Sequence, residues 1–157
     1  MVTEPRLAAL GRVPSGIFIV TACHQNRETG MLASWIQQCS FDPPLISMAV
    51  KRGRFLASWL EEGCPFTVHI LDESQTDLIS HFGRGFAPEE DAFSGLEVRR
   101  RSEAAPILNE CLAYLDCMVR DSHPTGDHTL FIAEVVDGNL LNSGRPMVHV
   151  RKSAAHY

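Results

Sequence analysis

No CxxC pair, no HExxH run and no regular histidine spacing occurs in this sequence of 157 residues, so zinc-site and thioredoxin-type chemistries have no ligand pattern here and no metal is assigned. There is no P-loop. Gly83-Arg84-Gly85 lacks the third glycine and the strand–helix setting of a dinucleotide fingerprint. Serine, histidine and aspartate are available for a triad, but no G-x-S-x-G elbow carries them. Positive charge is also short: 14 Lys and Arg against 19 Asp and Glu give a net charge of −5. That balance argues against general nucleic-acid or anionic-membrane binding. No apolar run approaches the length of a membrane span, and the opening MVTEPRLAAL has no signal-peptide pattern. A cytoplasmic protein is expected. The five cysteines are an odd number, four of them beside apolar residues, which reads as reduced, buried thiols with Cys39 as the exception.

What is present is enough for one ordinary domain, expected to take in residues 1–157, with 45% apolar residues. No repeat, low-complexity stretch or linker divides it. β-rich runs recur at Ile17–Cys23, Leu45–Val50, Phe66–Leu71, Tyr114–Val119, Thr129–Val136 and Met147–Val150, most bounded by Gly, Pro, Asp or Asn. Around Tyr114–Arg120, apolar Leu115, Cys117 and Val119 alternate with Asp116, Met118 and Arg120, the period of a half-buried strand. Asp137-Gly138 signals a tight hairpin. Three short helices fit between these runs. One is capped by Thr3 with Pro5 in its first turn, one covers Arg54–Glu62 and stops at Gly63, and one opens with a Ser74–Asp77 capping box. Strands that do not alternate with long helices predict a mainly β fold: an antiparallel Greek-key split β-barrel with short peripheral helices.

Two clusters attract attention. Ala33, Ser34, Trp35, Gln37, Gln38, Cys39 and Ser40 read as a polar loop whose small side chains let backbone donors reach a heteroaromatic edge and a hydroxylated chain. Phe41-Asp42-Pro43-Pro44 predicts an extended approach to the next strand. Lys51, Arg52, Gly53 and Arg54 follow that strand at the start of a helix, a natural seat for a phosphate. A plain polar loop and a solvated basic turn are the simpler readings of each cluster alone; their separation by one strand favours a shared site. His81-Phe82 offers a further wall, although Phe82 on a helical face also suits the core. His128, in Gly126-Asp127-His128-Thr129, sits at a turn into a strand, where it serves a ligand or nothing. Arg99–Arg101 reads as a solvated strand end.

Ile19-Val20-Thr21-Ala22, Ser40-Phe41-Asp42-Pro43-Pro44, Val68-His69-Ile70-Leu71, Pro106-Ile107-Leu108, Leu115-Asp116-Cys117, Gly126-Asp127-His128-Thr129 and a late Tyr157 run in the order of a known pattern. Together they resemble the flavin reductase-like, FMN-binding split-barrel family over nearly the whole chain. Ala33-Ser34-Trp35, Ala113–Cys117 and His149-Val150-Arg151-Lys152 look closest to the flavin reductase domain that ends long flavodiiron proteins. Leu32 and Ser34 stand where many members carry Asn or Thr, and the Gly53 region is cationic where many carry serine.

The resemblance implies an NAD(P)H-dependent flavin reductase with FMN, or FAD in its place, as cofactor. It implies Ala33, Ser34 and Trp35 at the ring, Gln38, Cys39 and Ser40 at the ribityl chain and phosphate, and Lys51, Arg52, Gly53, Arg54, His81 and Phe82 closing the phosphate end. His128 becomes the catalytic candidate, toward the nicotinamide or the reduced flavin. A homodimer is implied, with a monooxygenase or flavodiiron module as electron acceptor. A non-catalytic FMN-binding relay or flavin-storage domain is the alternative. The choice between NADH and NADPH stays open.

Overall fold

A computed structural model describes residues 4–154, so Thr3 and Tyr157 lie outside the described residues. The elements run α1 (Pro5–Leu10), β1 (Ser15–Gly16), β2 (Phe18–His24), β3 (Arg27–Ala33), β4 (Ile36–Ser40), β5 (Leu45–Lys51), α2 (Phe55–Glu61), β6 (Phe66–Ile70), α3 (Thr76–Gly83), β7 (Arg99–Arg101), β8 (Ala104–Ile107), β9 (Ala113–Pro124), β10 (His128–Leu140) and β11 (Val148–His149). Seven strands form one antiparallel sheet in the order β3-β2-β6-β9-β10-β5-β4. The fold is mainly β, as expected, and antiparallel.

That strand order dictates the barrel. β3 and β4 occupy opposite edges of the sheet, yet only Ser34 and Trp35 separate them in sequence. A flat sheet of this width would hold its edges ~29 Å apart at ~4.8 Å per strand. Three peptide steps reach at most ~10 Å. The sheet must therefore curl until its edges meet, and because β3 and β4 do not pair, the barrel is split at that seam. The Trp35 carbonyl accepts from the Ala49 amide at 3.0 Å, which ties the seam to β5.

Two apolar clusters fill the inside and one flank. Val20, Met48, Phe66, Val68 and Phe131 pack under α2 residues Leu56, Trp59 and Leu60. Ile19, Leu71, Phe82, Phe93 and Leu108 form the second, beneath α3. Fully buried His69 stitches this region together. Its Nδ1–H donates to the Ile19 carbonyl at 3.1 Å, and its Nε2 accepts from the Leu108 amide at 3.1 Å.

Several expectations need correction. Asp137-Gly138 is not a turn: it continues β10 opposite Asp116 and Leu115, after a register shift. A Cβ at Gly138 would lie 2.7 Å from the Tyr114 carbonyl, so the glycine serves close strand approach. The reversal falls instead between Pro124 and His128. Residues 36–40 form strand β4 rather than a loop, and Phe41–Pro44 is the turn joining it to β5. α3 is capped at Gln75 without a side-chain bond, because Ser74 turns back to the Asp72 carboxylate.

β9 does not alternate cleanly either, since Tyr114 and Cys117 are its buried pair while Leu115 and Val119 are half-buried. Arg101 is not solvated: its guanidinium grips both Asp116 oxygens at 2.6 and 2.9 Å and also reaches the Ala105 carbonyl. Burial pushes the Asp116 carboxyl upward, but Arg101 and Thr67 outweigh it and hold it below the usual carboxylate range. Cys64, Cys111 and Cys117 are buried, Cys23 is half-buried and Cys39 is exposed, all free. Burial pushes the Cys64 thiol up to about 11, and those of Cys111 and Cys117 to about 12.

Candidate functional site

A cavity of about 560 Å³ opens beside the split seam. β3 supplies one wall through Gly30 to Ala33, followed by Ser34; the end of β5 and the start of α2 supply another through Lys51, Gly53, Arg54 and Leu56. The last turn of α3 and the segment after it close a third side with Phe82, Gly83, Gly85 and Phe86. Met147, Val148 and His149, on the strap that runs into β11, complete the lining.

Two glycines let these walls approach. A Cβ on Gly30 would stand 2.5 Å from Phe82 Cε1, so the bare strand is what allows the Phe82 ring to lie back and leave the cavity open. Gly85, at φ +75°, takes a backbone conformation costly for other residues, and Arg54 Nη1 lies just beyond its open side.

The charge of the lining sets it apart from the rest of the surface. In a protein of net charge −5, the titratable side chains lining the cavity are Lys51, Arg54 and His149, with no carboxylate among them. The Lys51 and Arg54 side chains make no ion pair or hydrogen bond with other described residues. Such a lining suits a ligand with a broad apolar face and an anionic group.

Of the site residues expected from sequence, Ala33, Ser34, Lys51, Gly53, Arg54 and Phe82 line this cavity together. The others do not. Arg52 turns to the β9–β10 turn, where its Nη2 donates to the Thr125 carbonyl at 2.6 Å. His81 donates from Nε2 to the Ala92 carbonyl at 2.7 Å and packs on Phe82 and Phe86. Gln38 borders a second, apolar depression of about 390 Å³ with Phe18, Ile36, Leu115 and Val135, on the β4 side. Cys39 is exposed on β4 and Ser40 ends that strand; neither lines either space.

Trp35 and His128 stand just behind the lining, ring to ring at 4.7 Å. His128 is 5% exposed, pairs with Lys51 across β10–β5, and donates from Nδ1 to the Asp127 carboxylate at 2.7 Å. That bond holds the Asp127 carboxyl below its ordinary range, and Lys51 adds to the effect. The Gly126–Thr129 element and the basic cluster are therefore neighbours in space. Arg151 caps the other side of Trp35, its guanidinium 5.0 Å from the ring centroid. Sequence reasoning passed over His149 and Phe86 as site residues. A single aromatic or histidine in a short run carries no periodic signal, and only the pairing of β11 with β1 brings His149 to the cavity.

An antiparallel split barrel whose seam holds an apolar cavity with a basic, acid-free lining defines a class of ligand-binding barrel. The chain belongs to the flavin reductase like domain family, whose model matches residues 10–156. A protein of Synechocystis sp. named as a diflavin flavoprotein A is 39% identical over 150 residues, covering 95% of this chain and 25% of that protein. The chain thus spans about a quarter of the length of that curated relative. An NADH:FAD oxidoreductase of Streptomyces globisporus shares the fold with a TM-score of 0.85 at 24% identity, over 97% of this chain and 93% of its own. The flavin reductase HpaC, solved in complex with NADP+, gives a TM-score of 0.79 at 25% identity, over 92% of each chain. Among the described residues no helix is long and apolar enough to cross a membrane.

Proposed function

We propose that this chain is one FMN-binding domain that takes hydride from NAD(P)H and passes electrons on to a partner, either an oxygenase or a flavodiiron module. The observation that carries the proposal is the cavity lining: apolar walls with three basic side chains and no acid. Lys51 and Arg54 hold the phosphate, by charge and by the donors they leave unused. α2 has only seven residues, so the cations rather than the helix end supply the attraction. Val50, Leu56, Phe82 and Phe86 would offer apolar surface to the ring, and Ala33 and Ser34, with Trp35 behind them, would border its edge.

Bound FMN supplies the redox chemistry, accepting a hydride and releasing electrons singly or in pairs. Gln38, Cys39, Ser40, Arg52 and His81 belong to the reading carried by the resemblance, although they lie off the cavity of one chain. His128, braced by Asp127 and Trp35, keeps the Lys51 end of β5 in place and is the group proposed to meet the nicotinamide. Support for a pyridine nucleotide comes from HpaC, whose structure holds NADP+, and for a larger electron-transfer assembly from the diflavin relative.

The test is anaerobic. FMN is mixed with the protein and its visible absorbance followed after NADPH, then NADH, is added. Bleaching at least a hundredfold faster than with free FMN is expected, and in His128→Ala the rate should fall by more than tenfold with FMN affinity changed less than threefold. FMN that binds and stays oxidised would establish the relay or storage alternative instead. A homodimer is part of the proposal, supported by the apolar depression beside edge strand β4 and by Phe41, 91% exposed at the β4–β5 turn. Light scattering is expected to return twice the 17.4 kDa chain mass; the monomer mass would remove that part.

A further inference from the structure

We propose that His149 is a ligand-contacting residue of the cavity and that it favours the reduced flavin over the oxidised one. The inference rests on the FMN reading above and extends it to a residue that neither the motifs nor the resemblance assigns a role.

The strap holds His149 firmly. β11 pairs with β1 through Ser15 and His149 and through Gly16 and Val148. On one side the Met147 amide donates to the Leu71 carbonyl, and on the other the Arg151 amide donates to the Gly11 carbonyl. Arg12 also grips the Arg151 carbonyl. Of the two β11 residues, Val148 is 69% exposed and His149 is half-buried, and both border the cavity. Two residues further on, Arg151 lies over Trp35, the neighbour of cavity-lining Ser34. The strap thus follows the Ala33–Ser34 wall, where the ring edge is proposed to lie.

Chemistry gives this position a consequence. Hydride from a dihydronicotinamide brings two electrons and one proton to the flavin, so FMN and NAD(P)H become NAD(P)+ and a reduced flavin whose ring carries one negative charge. The oxidised ring is neutral. A cation or a strong N–H donor beside the ring therefore binds the reduced form more tightly. Lys51 and Arg54 line the cavity from β5 and α2, and both attract the phosphate, which is present in either redox state. β1, which pairs with β11, brings Ser15 and Gly16 and no titratable group. Arg151 is engaged with Trp35. Among the lining residues, His149 alone carries an imidazole, which offers the ring an N–H donor and, when protonated, a positive charge. Its preference for the reduced flavin should grow as pH falls.

The experiment compares unaltered protein with His149→Gln, which keeps a donor without the charge, and His149→Phe, which keeps an aromatic ring without the donor or the charge. Dissociation constants for oxidised FMN and for dithionite-reduced FMN are measured from pH 6 to 8, with thermal unfolding as a check of the fold. Both variants are expected to lose about tenfold in affinity for reduced FMN at pH 6 and less than threefold for oxidised FMN. A net selectivity of about three- to tenfold would lower the midpoint potential of bound FMN by about 15 to 30 mV, at about 30 mV for each tenfold in a two-electron couple. The pH dependence of the preference should flatten in both. Equal losses for the two redox states, or none, in a variant that folds and binds FMN would overturn this inference alone. Absence of FMN binding to the unaltered protein would overturn the underlying reading and this inference with it.

Discussion

Arg54→Glu is expected to raise the dissociation constant for FMN by roughly 30- to 100-fold while leaving that for riboflavin within about twofold. Arg54 lines the cavity, its guanidinium reaches over Gly85, and it has no carboxylate partner among the described residues. Two unit charges ~4 Å apart interact by about 4 kcal/mol at an effective dielectric of 20. Arg54 is exposed, so solvent screens much of that, and about 2 to 3 kcal/mol remains for removing one attraction and adding a repulsion. Riboflavin, which has the ring and ribityl chain but no phosphate, separates an electrostatic loss from a collapsed cavity. Raising salt should weaken FMN binding in the unaltered protein and much less in the variant. Matching losses for FMN and riboflavin would take the phosphate away from Arg54.

The second large effect concerns stability, and its sign follows from His69. Burial pushes this imidazole down to about 4; the Ile19 carbonyl and Asp116 resist the shift, while Arg101 adds to it. Its Nε2 already accepts the Leu108 amide, so a second ring proton would face a donor with no acceptor in reach. The unfolded chain binds that proton near pH 6.5 and the folded chain only near 4, so stability is lost as pH falls through this window. By pH 4 the loss from this residue reaches about 3 kcal/mol, at ~1.4 kcal/mol for each tenfold in proton activity. The carboxylates of Asp72, Asp116 and Asp127, held below their ordinary range, act in the same sense at lower pH. Urea midpoints at pH 7, 6, 5 and 4.5 should therefore fall for the unaltered protein and fall less for His69→Gln. Parallel slopes would show that His69 takes up its proton without cost.

Strands with a clear apolar pattern were legible in the sequence because one face of each is buried: β2, β5, β6 and most of β10 lie where their apolar runs predict. β3 and β4 were not legible. Arg27-Glu28-Thr29-Gly30 reads as polar and Gln37-Gln38-Cys39 as a loop, and both strands are sheet edges, where one flank stays unpaired and polar residues are tolerated. The β2–β3 turn was missed as well, because Gln25 and Asn26 adopt positive φ there without a glycine to signal it.

The same division holds for the candidate site. The sequence by itself determined the strand-rich class, the family, and a basic cluster one strand from a segment of small residues, since these are local matters of composition, order and spacing. Only the tertiary structure decided which of those residues share a cavity. Curling of the sheet carries β3 to the end of β5, α3 lays Phe82 against Gly30, and β1 pairs with β11 to bring His149 within the same lining as Lys51, 98 positions earlier in the chain. Arg52 and Arg54, two residues apart, part company for the same reason: one is held by the Thr125 carbonyl, and the other opens onto the cavity. Spacing along the chain sets what a residue is able to reach, and closure of the barrel sets what it meets.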